Sequence, residues 1–415
     1  MKKDNLVKII NKGLEWSVYI MLLSIPLSKS LIEISVSIGI ILFILKRTLT
    51  GNFKFPATSG NMPLLFVFLT ALLSLVNSQY MNLSVRALFS KNIKFIAMYF
   101  LVIEAIDTRE KIMNLLKLGL LSVIIVLIDG FVQHFITRFD LFHNYIEFKY
   151  MFDYDKVRKI VHYSALGYPT GPFPYPNDLS AWLLIMIPAM LFIALFDLKG
   201  KRYKYLMLFL SAAGLYLFVL AKVRSAWISF ILAIGSLIFL ARRAAVMVLA
   251  TMLLLVLITF AKYPNNFLFG LSSMQDRGDM WSNGVKIFKE HPIVGNGINT
   301  FFNKYREVRN DESKGLRGSY AHNCYLQMAA DTGILGLAAF LWFIAAVFVN
   351  VKIRLKAAEE PFLRFLAMGL LAGISAFLTH SFFDTNLYSL NLASFFWIAT
   401  GFLVAVINIA ALKKS

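Results

Sequence analysis

A single cysteine, Cys324, stands in 415 residues, which excludes an intrachain disulfide and any multi-cysteine metal site. Charge is scarce as well: Asp, Glu, Lys and Arg together make up 16% of the chain, against about a quarter in soluble domains. With 58% hydrophobic and 15% aromatic residues, an ordinary water-soluble domain is excluded and the solvent must be lipid. Strict alternation of apolar and polar residues is missing too. Runs such as Leu118 to Leu127 and Ala244 to Phe260 are apolar on every side, which excludes a closed barrel and leaves helices. No repeat of fixed period and no low-complexity tract occurs, so neither a solenoid nor an obvious duplicated transporter is indicated. The basic start, Met1 to Lys12, leads into an apolar span with no small-residue cleavage site, and reads as a retained anchor.

What the chain does have is apolar stretches of about 20 residues, end to end, with short polar breaks. The expected spans are 13–28, 31–46, 62–77, 92–106, 113–136, 177–196, 204–220, 225–241, 244–261, 325–350, 363–380 and 388–410. The reading is therefore an all-α, polytopic membrane protein of about twelve transmembrane helices, forming a single integral domain over 1–415. The net charge of +19 sits in clusters at span ends, where topology accounts for it and nucleic acid does not. With both termini cytoplasmic, Lys46/Arg47, Arg109/Lys111, Lys199 to Lys204, Arg242/Arg243, Lys352 to Lys356 and Lys413/Lys414 all fall inside. The larger breaks at 137–176 and 262–324, with the short turns near Asn77, Arg224 and His380, then face outward.

In the large outer loop, Asp276 is suited to cap a helix carrying Met280, Trp281, Val285 and Phe288 on one face, an amphipathic helix for the membrane surface. That helix is expected to stop near His291-Pro292, with Gly295 and Gly297 turning the chain before Phe301 and Phe302.

Arg224, in Lys222-Val223-Arg224-Ser225-Ala226-Trp227, opens a span where a charge is costly unless partnered, so it reads as a functional group or as a side chain snorkelling to headgroups. Arg277, in Asp276-Arg277-Gly278-Asp279-Met280-Trp281, lies beside the expected helix start and suits phosphate; a surface ion pair with Asp276 or Asp279 is the plain alternative. His322, where the loop re-enters the membrane, is the candidate base, against a capping or headgroup role. A Cys324 nucleophile lacks an orienting third group. Asp153 and Asp155 have no suitably spaced third ligand, so no metal and no cofactor is expected. Asn177, after the rigid Pro172-Phe173-Pro174-Tyr175-Pro176 turn, either caps the next span or touches substrate. His380, with Asp384 and Asn386, lies in the last outer turn.

Taken together, Arg224 to Trp227, Asp276-Arg277 to Trp281, His291-Pro292-Ile293-Val294-Gly295-Asn296-Gly297 to Phe301, and His322-Asn323 to Gly333-Ile334-Leu335-Gly336 resemble the O-antigen ligase family in order and spacing. The resemblance covers roughly 220–340, and the hydropathy plan extends it over nearly all of the chain. It implies a GT-C-like, multi-helix glycosyltransferase of the bacterial inner membrane with its active site facing the periplasm. The donor would be a glycan on undecaprenyl diphosphate and the acceptor lipid A-core or another glycan. It also implies that Arg224 and Arg277 bind the diphosphate and His322 is catalytic, with Asp276, Trp281, Asn323, Asn177 and His380 in support. An O-antigen polymerase, whose acceptor is itself carrier-linked, shares these motifs. A transporter or flippase of lipid-linked sugars is the alternative from another class, but would favour ionisable residues nearer mid-membrane.

Overall fold

In a computed structural model of the chain, residues 2–137, 141, 168–196, 201–236, 253, 257, 271–309 and 320–411 are described. Among them every regular element is helical: α1 (Lys2–Ser24), α2 (Lys29–Thr50), α3 (Asn61–Leu73), α4 (Met81–Ala87), α5 (Lys94–Ala105), α6 (Arg109–Val132) and α7 (Pro176–Phe196). There follow α8 (Lys201–Leu220), α9 (Arg224–Ser236), α10 (Leu271–Glu290), α11 (Phe301–Val308), α12 (Cys324–Leu355), α13 (Pro361–His380) and α14 (Leu390–Ala410). Six stretches are long and apolar enough to cross a membrane: Arg109–Ile136, Pro176–Leu195, Tyr203–Leu220, Cys324–Leu355, Pro361–His380 and Leu390–Ala410. They make this a multi-pass membrane protein. Asn61–Asn77 and Arg224–Gly235 are apolar but shorter, and the expected span at 244–261 lies, apart from Leu253 and Leu257, outside the described residues. Asp153 and Asp155 lie outside them as well.

Two ends of the bundle differ in chemistry. At one, Lys46 and Arg47 at the end of α2 share Glu104 of α5 at 2.5 and 2.6 Å, Arg109 pairs with Glu360 at 2.6 Å, and Arg354 donates to Asn408 at 2.7 Å. These ion pairs and this hydrogen bond lie at a single end. At the other end lie the start of α7, the start of α9, the start of α12 and the end of α13.

Small residues let these helices close up. Along α13, a Cβ on Gly369 would stand 2.7 Å from Pro188 O, and one on Gly373 would stand 2.7 Å from Ile185 Cα, so the α13 backbone runs directly against α7. Where lipid tails are as apolar as the side chains, such close backbone approach supplies the dispersion contacts that hold helices together. It also fixes the C-terminus of α13, ending at His380, beside the N-terminus of α7, where Asn177 sits.

The helix α12 is broken. Gly333 adopts φ 67°, ψ −177°, a conformation essentially confined to glycine, and interrupts the ladder of a helix that otherwise runs from Cys324 to Leu355. The freed backbone groups are taken up by the segment after α10. Asn296 N and Gly297 N donate to Ala330 O and Asp331 O, both at 3.0 Å, while Ile334 N and Leu335 N donate to Pro292 O and Ile293 O at 2.9 and 3.3 Å. Asn296 Nδ2 adds bonds to Ile287 O at 2.8 Å and Ala330 O at 3.1 Å, and the Asp331 carboxyl accepts from Phe301 N at 2.9 Å, capping α11. Asn77 Nδ2 reaches Gly295 O at 3.2 Å, and Ser74 Oγ accepts from Ile298 N at 3.1 Å. The turn expected at Gly295 and Gly297 is there, with φ of 82° and 106°.

The sequence reading needs correction at the helix before this turn. α10 already runs from Leu271, so Asp276 lies inside it and is not its N-cap, and Arg277 is not at a helix terminus. Leu271 to Gln275 contains no helix breaker, so nothing delays helix formation until Asp276. The apolar face of α10 is also not free for the membrane surface: Met280 and Ile287 pack with Phe301, Tyr305 and Ala330, and Val285, expected on the same face, is exposed.

A Cβ at position 333 would come within 2.0 Å of Ile293 O, whereas one at Gly51, also left-handed at φ 69°, meets nothing within 4 Å. Gly333→Ala is expected to lose about 3 kcal/mol of stability and Gly51→Ala about 1, read as unfolding midpoints in detergent. Equal losses would mean that the docking of 291–300 on α12 contributes nothing.

Candidate functional site

The turn between α13 and α14, residues 381–389, gathers the polar residues of the second end around one carboxylate, Asp384. Its Oδ1 lies 3.2 Å from His322 Nδ1 and accepts from its neighbour Thr385 N at 2.7 Å; its Oδ2 accepts from Asn177 Nδ2. The backbone carbonyl of Asp384 accepts from Cys324 Sγ at 3.1 Å. Burial pushes the Asp384 carboxyl up. The hydrogen bond and charge of His322, with the nearby His380 and the Thr385 N–H, outweigh that and hold it well below the usual carboxylate range.

An ionised carboxylate only accepts, so His322 donates its Nδ1–H to Asp384, and in the neutral ring Nε2 is then the lone-pair nitrogen. The His322 side chain is 35% exposed while that of Asp384 is 8% exposed, so the free nitrogen belongs to the accessible partner. The His322 backbone is left-handed, φ 46°, a conformation few non-glycine residues adopt, immediately before α12 begins. Asn323 then caps α12, its Oδ1 accepting from Tyr325 N and Leu326 N at 3.0 Å each. Cys324 N donates to Ser381 O at 2.8 Å, and the thiol, fully buried, also accepts from Leu387 N at 3.4 Å. Cys324 is thus a strut between α12 and the 381–389 turn.

The expected supporting residues fall into distinct places. Asn177 neither caps α7 nor stands free; it clamps Asp384. His380 is fully buried, with Nδ1 2.9 Å from Asn386 Nδ2 and Nε2 without a partner. Trp281 of α10 packs edge-on against Phe382 at 5.7 Å between ring centres, and Phe382 also meets Tyr325 of α12 at 6.3 Å. That stack joins α10 to the 381–389 turn. Arg277 lies one turn before Trp281, half-buried, close enough for its charge to act on His380. Arg224 is exposed at the first position of α9, whose turn is anchored by Trp227 Nε1 on Phe218 O at 3.3 Å. α9 packs against α13 and α7, which brings Arg224 to the same end of the bundle, without a described contact to His322 or Asp384. Neither guanidinium has an ion pair or hydrogen bond among the described residues, so the surface pair of Arg277 with Asp279 does not form.

Around one turn, then, the chain assembles an oriented imidazole, a buried carboxylate and a guanidinium with open donors. Residues 206–341, which hold Arg224, Arg277 and His322, match the family model described as O-antigen ligase. This part of the chain is similar to the O-antigen ligase family. The match and the apolar helices together mark a membrane enzyme of the O-antigen ligase and polymerase type, glycosyltransferase-like in character. A comparison with curated proteins finds no match.

The residue whose role sequence reading missed is Asp384, which was placed in the outer turn but not paired with His322. The pairing spans 62 positions of sequence and joins the start of α12 to the turn after α13. A carboxylate four residues after a histidine at the end of an apolar span was the signal available.

Because the folded Asp384 titrates below its unfolded value, its contribution to stability is fully present above the ordinary carboxylate pKa, near pH 4, and is lost as pH falls through that range and below. Wild type should exceed Asp384→Asn in unfolding midpoint at pH 7, and the gap should narrow steadily on acidification to about pH 3. Parallel curves would mean that the carboxylate is not ionised in the fold.

Proposed function

We propose that this protein transfers a glycan from undecaprenyl diphosphate to an acceptor hydroxyl at the periplasmic face of the bacterial inner membrane, as an O-antigen ligase with lipid A-core as acceptor. The observation that carries this reading is the His322–Asp384 pair, with Nδ1 tied to the carboxylate and Nε2 left for chemistry, on the same turn that Arg277 approaches. Nε2 takes the proton of the incoming sugar hydroxyl, whose oxygen forms the new bond to the anomeric carbon. The bond from that carbon to the diphosphate oxygen breaks, and its electron pair leaves with the diphosphate. Direct attack of this kind inverts the anomeric carbon.

Developing charge on the leaving diphosphate needs a partner. Arg277 and Arg224, both with unused guanidinium donors, fill that role through paired charge-assisted hydrogen bonds. Arginine stays protonated across the working pH range, so the reaction is proposed to proceed without a divalent cation. Asn177 and Asp384 position His322. The polymerase reading uses the same donor chemistry and differs in its acceptor, a second carrier-linked glycan.

The test uses purified protein, undecaprenyl-diphosphate-linked glycan and lipid A-core in the presence of EDTA, with glycolipid product as readout. Transfer should persist in EDTA, fall roughly 10²- to 10⁴-fold in His322→Ala, and fall about 10- to 100-fold in Arg224→Ala and in Arg277→Ala. Elongation of the carrier-linked glycan in place of transfer to core would assign the polymerase. Chelator sensitivity would overturn the metal-free mechanism.

A further inference from the structure

Three elements bring aromatic rings together beside the His322–Asp384 pair. Trp281 comes from α10, Tyr325 from the first turn of α12, and Phe382 and Phe383 from the 381–389 turn, immediately before Asp384. Phe382 is the centre of the group: its ring meets Trp281 edge-on at 5.7 Å, Phe383 edge-on at 5.4 Å and Tyr325 at 6.3 Å. Yet it is 46% exposed, whereas Trp281, Tyr325 and Phe383 are half-buried. Three rings thus hold a fourth in place with much of its surface left open.

The patch is apolar throughout. The Tyr325 hydroxyl is spent on Leu378 O at 2.7 Å, Trp281 Nε1 is buried, and the two phenylalanine side chains carry no polar atom. A sugar laid on these rings would find no partner among them for its hydroxyls, and a hydroxyl shielded from water without a partner costs binding. A hydrocarbon chain needs only an apolar surface. On α10, Arg277 stands four residues before Trp281, a spacing that puts both side chains on one face with roughly 5–6 Å between their Cβ atoms. Its charge reaches His380, at the root of the same turn, and its guanidinium has no partner among the described residues. A cation and an apolar platform therefore adjoin, in the order in which a prenyl diphosphate carries its anion and its first isoprene unit.

We propose that Phe382, backed by Trp281, Tyr325 and Phe383, is the platform for the first isoprene unit of the carrier, the unit bonded to the diphosphate that Arg277 holds. The inference rests on the reading of Arg277 as a diphosphate ligand given above. It adds what the arginines lack, a contact that tells a lipid-linked diphosphate from a free one. Phe382 takes no part in proton transfer; it binds the chain, and through the chain it positions the diphosphate on the turn that carries Asp384.

Inorganic diphosphate and farnesyl diphosphate share the anion and differ in the chain. Each is titrated into the purified full-length protein in detergent, and bound molecules are counted by native mass spectrometry, a readout that needs no glycan transfer. Wild type should bind farnesyl diphosphate at least about tenfold more tightly than inorganic diphosphate, and Phe382→Ala should remove about tenfold of that affinity while leaving inorganic diphosphate within about twofold. Phe382→Leu keeps an apolar side chain and should recover most of the loss. Phe209→Ala, which truncates a ring 68% exposed on α8, should change neither ligand. Arg277→Ala should weaken both together; if inorganic diphosphate binding is unchanged, the reading of Arg277 fails and the proposal with it. Equal binding of the two ligands by wild type, or a Phe382→Ala variant that weakens both alike or neither, overturns the platform alone. Loss of hexose 1-phosphate binding in Phe382→Ala, with farnesyl diphosphate binding intact, would assign the ring to a sugar and overturn it as well.

Discussion

A helix interrupted in apolar surroundings leaves backbone groups that water cannot reach, and they must be paired from within the protein. The break in α12 at Gly333 is the point on which the functional end of this molecule depends. Its carbonyls and amides are met by residues 292–297, and that docking ends α10 where it does, starts α11 with Asp331 as its cap, and ties both to α3 through Asn77 and Ser74. The run His291-Pro292-Ile293-Val294-Gly295-Asn296-Gly297 and the run Gly333-Ile334-Leu335-Gly336, read as family motifs, are the two halves of one joint. Neither touches the reacting groups proposed here; they hold α10, and so Arg277, in register with the start of α12.

Asp384 plays the corresponding part for the chemistry. It draws one hydrogen bond from the first turn of α7, one from the residue before the α12 cap, and one from its own turn. A carboxylate buried at this depth is stable as an anion only because these donors converge, and its negative charge in turn selects the tautomer of His322. The contact of Gly369 and Gly373 with α7 is what makes the convergence possible, since a bulkier α13 would move the turn away from Asn177.

Much of this was legible before any coordinates. Apolar run length located α6, α7, α8, α12, α13 and α14, because that signal is set by bilayer thickness alone. Gly295 and Gly297 announced their turn, and the re-entry at His322 was visible as a polar residue at a span boundary. What escaped were relations at long range. The pairing of His322 with Asp384 and the clamp by Asn177 require knowing which spans adjoin, and apolar spans look alike in sequence. The start of α10 was misplaced for a local reason: Asp276 is a good capping residue, but the helix had already formed five residues earlier.

The family segment, 206–341, carries the two arginines and the histidine, yet the groups that orient the histidine come from elsewhere: Asn177 lies before it and Asp384 after it. Asn77, which holds the Gly295 turn, comes from nearer still to the N-terminus. The segment is therefore not a module in the mechanical sense. Grafted into a different bundle of helices it would bring His322 without its carboxylate and the 291–300 joint without its buttress. A change of acceptor in evolution or by design is better sought in the surrounding loops, with the interlocked helices inherited whole.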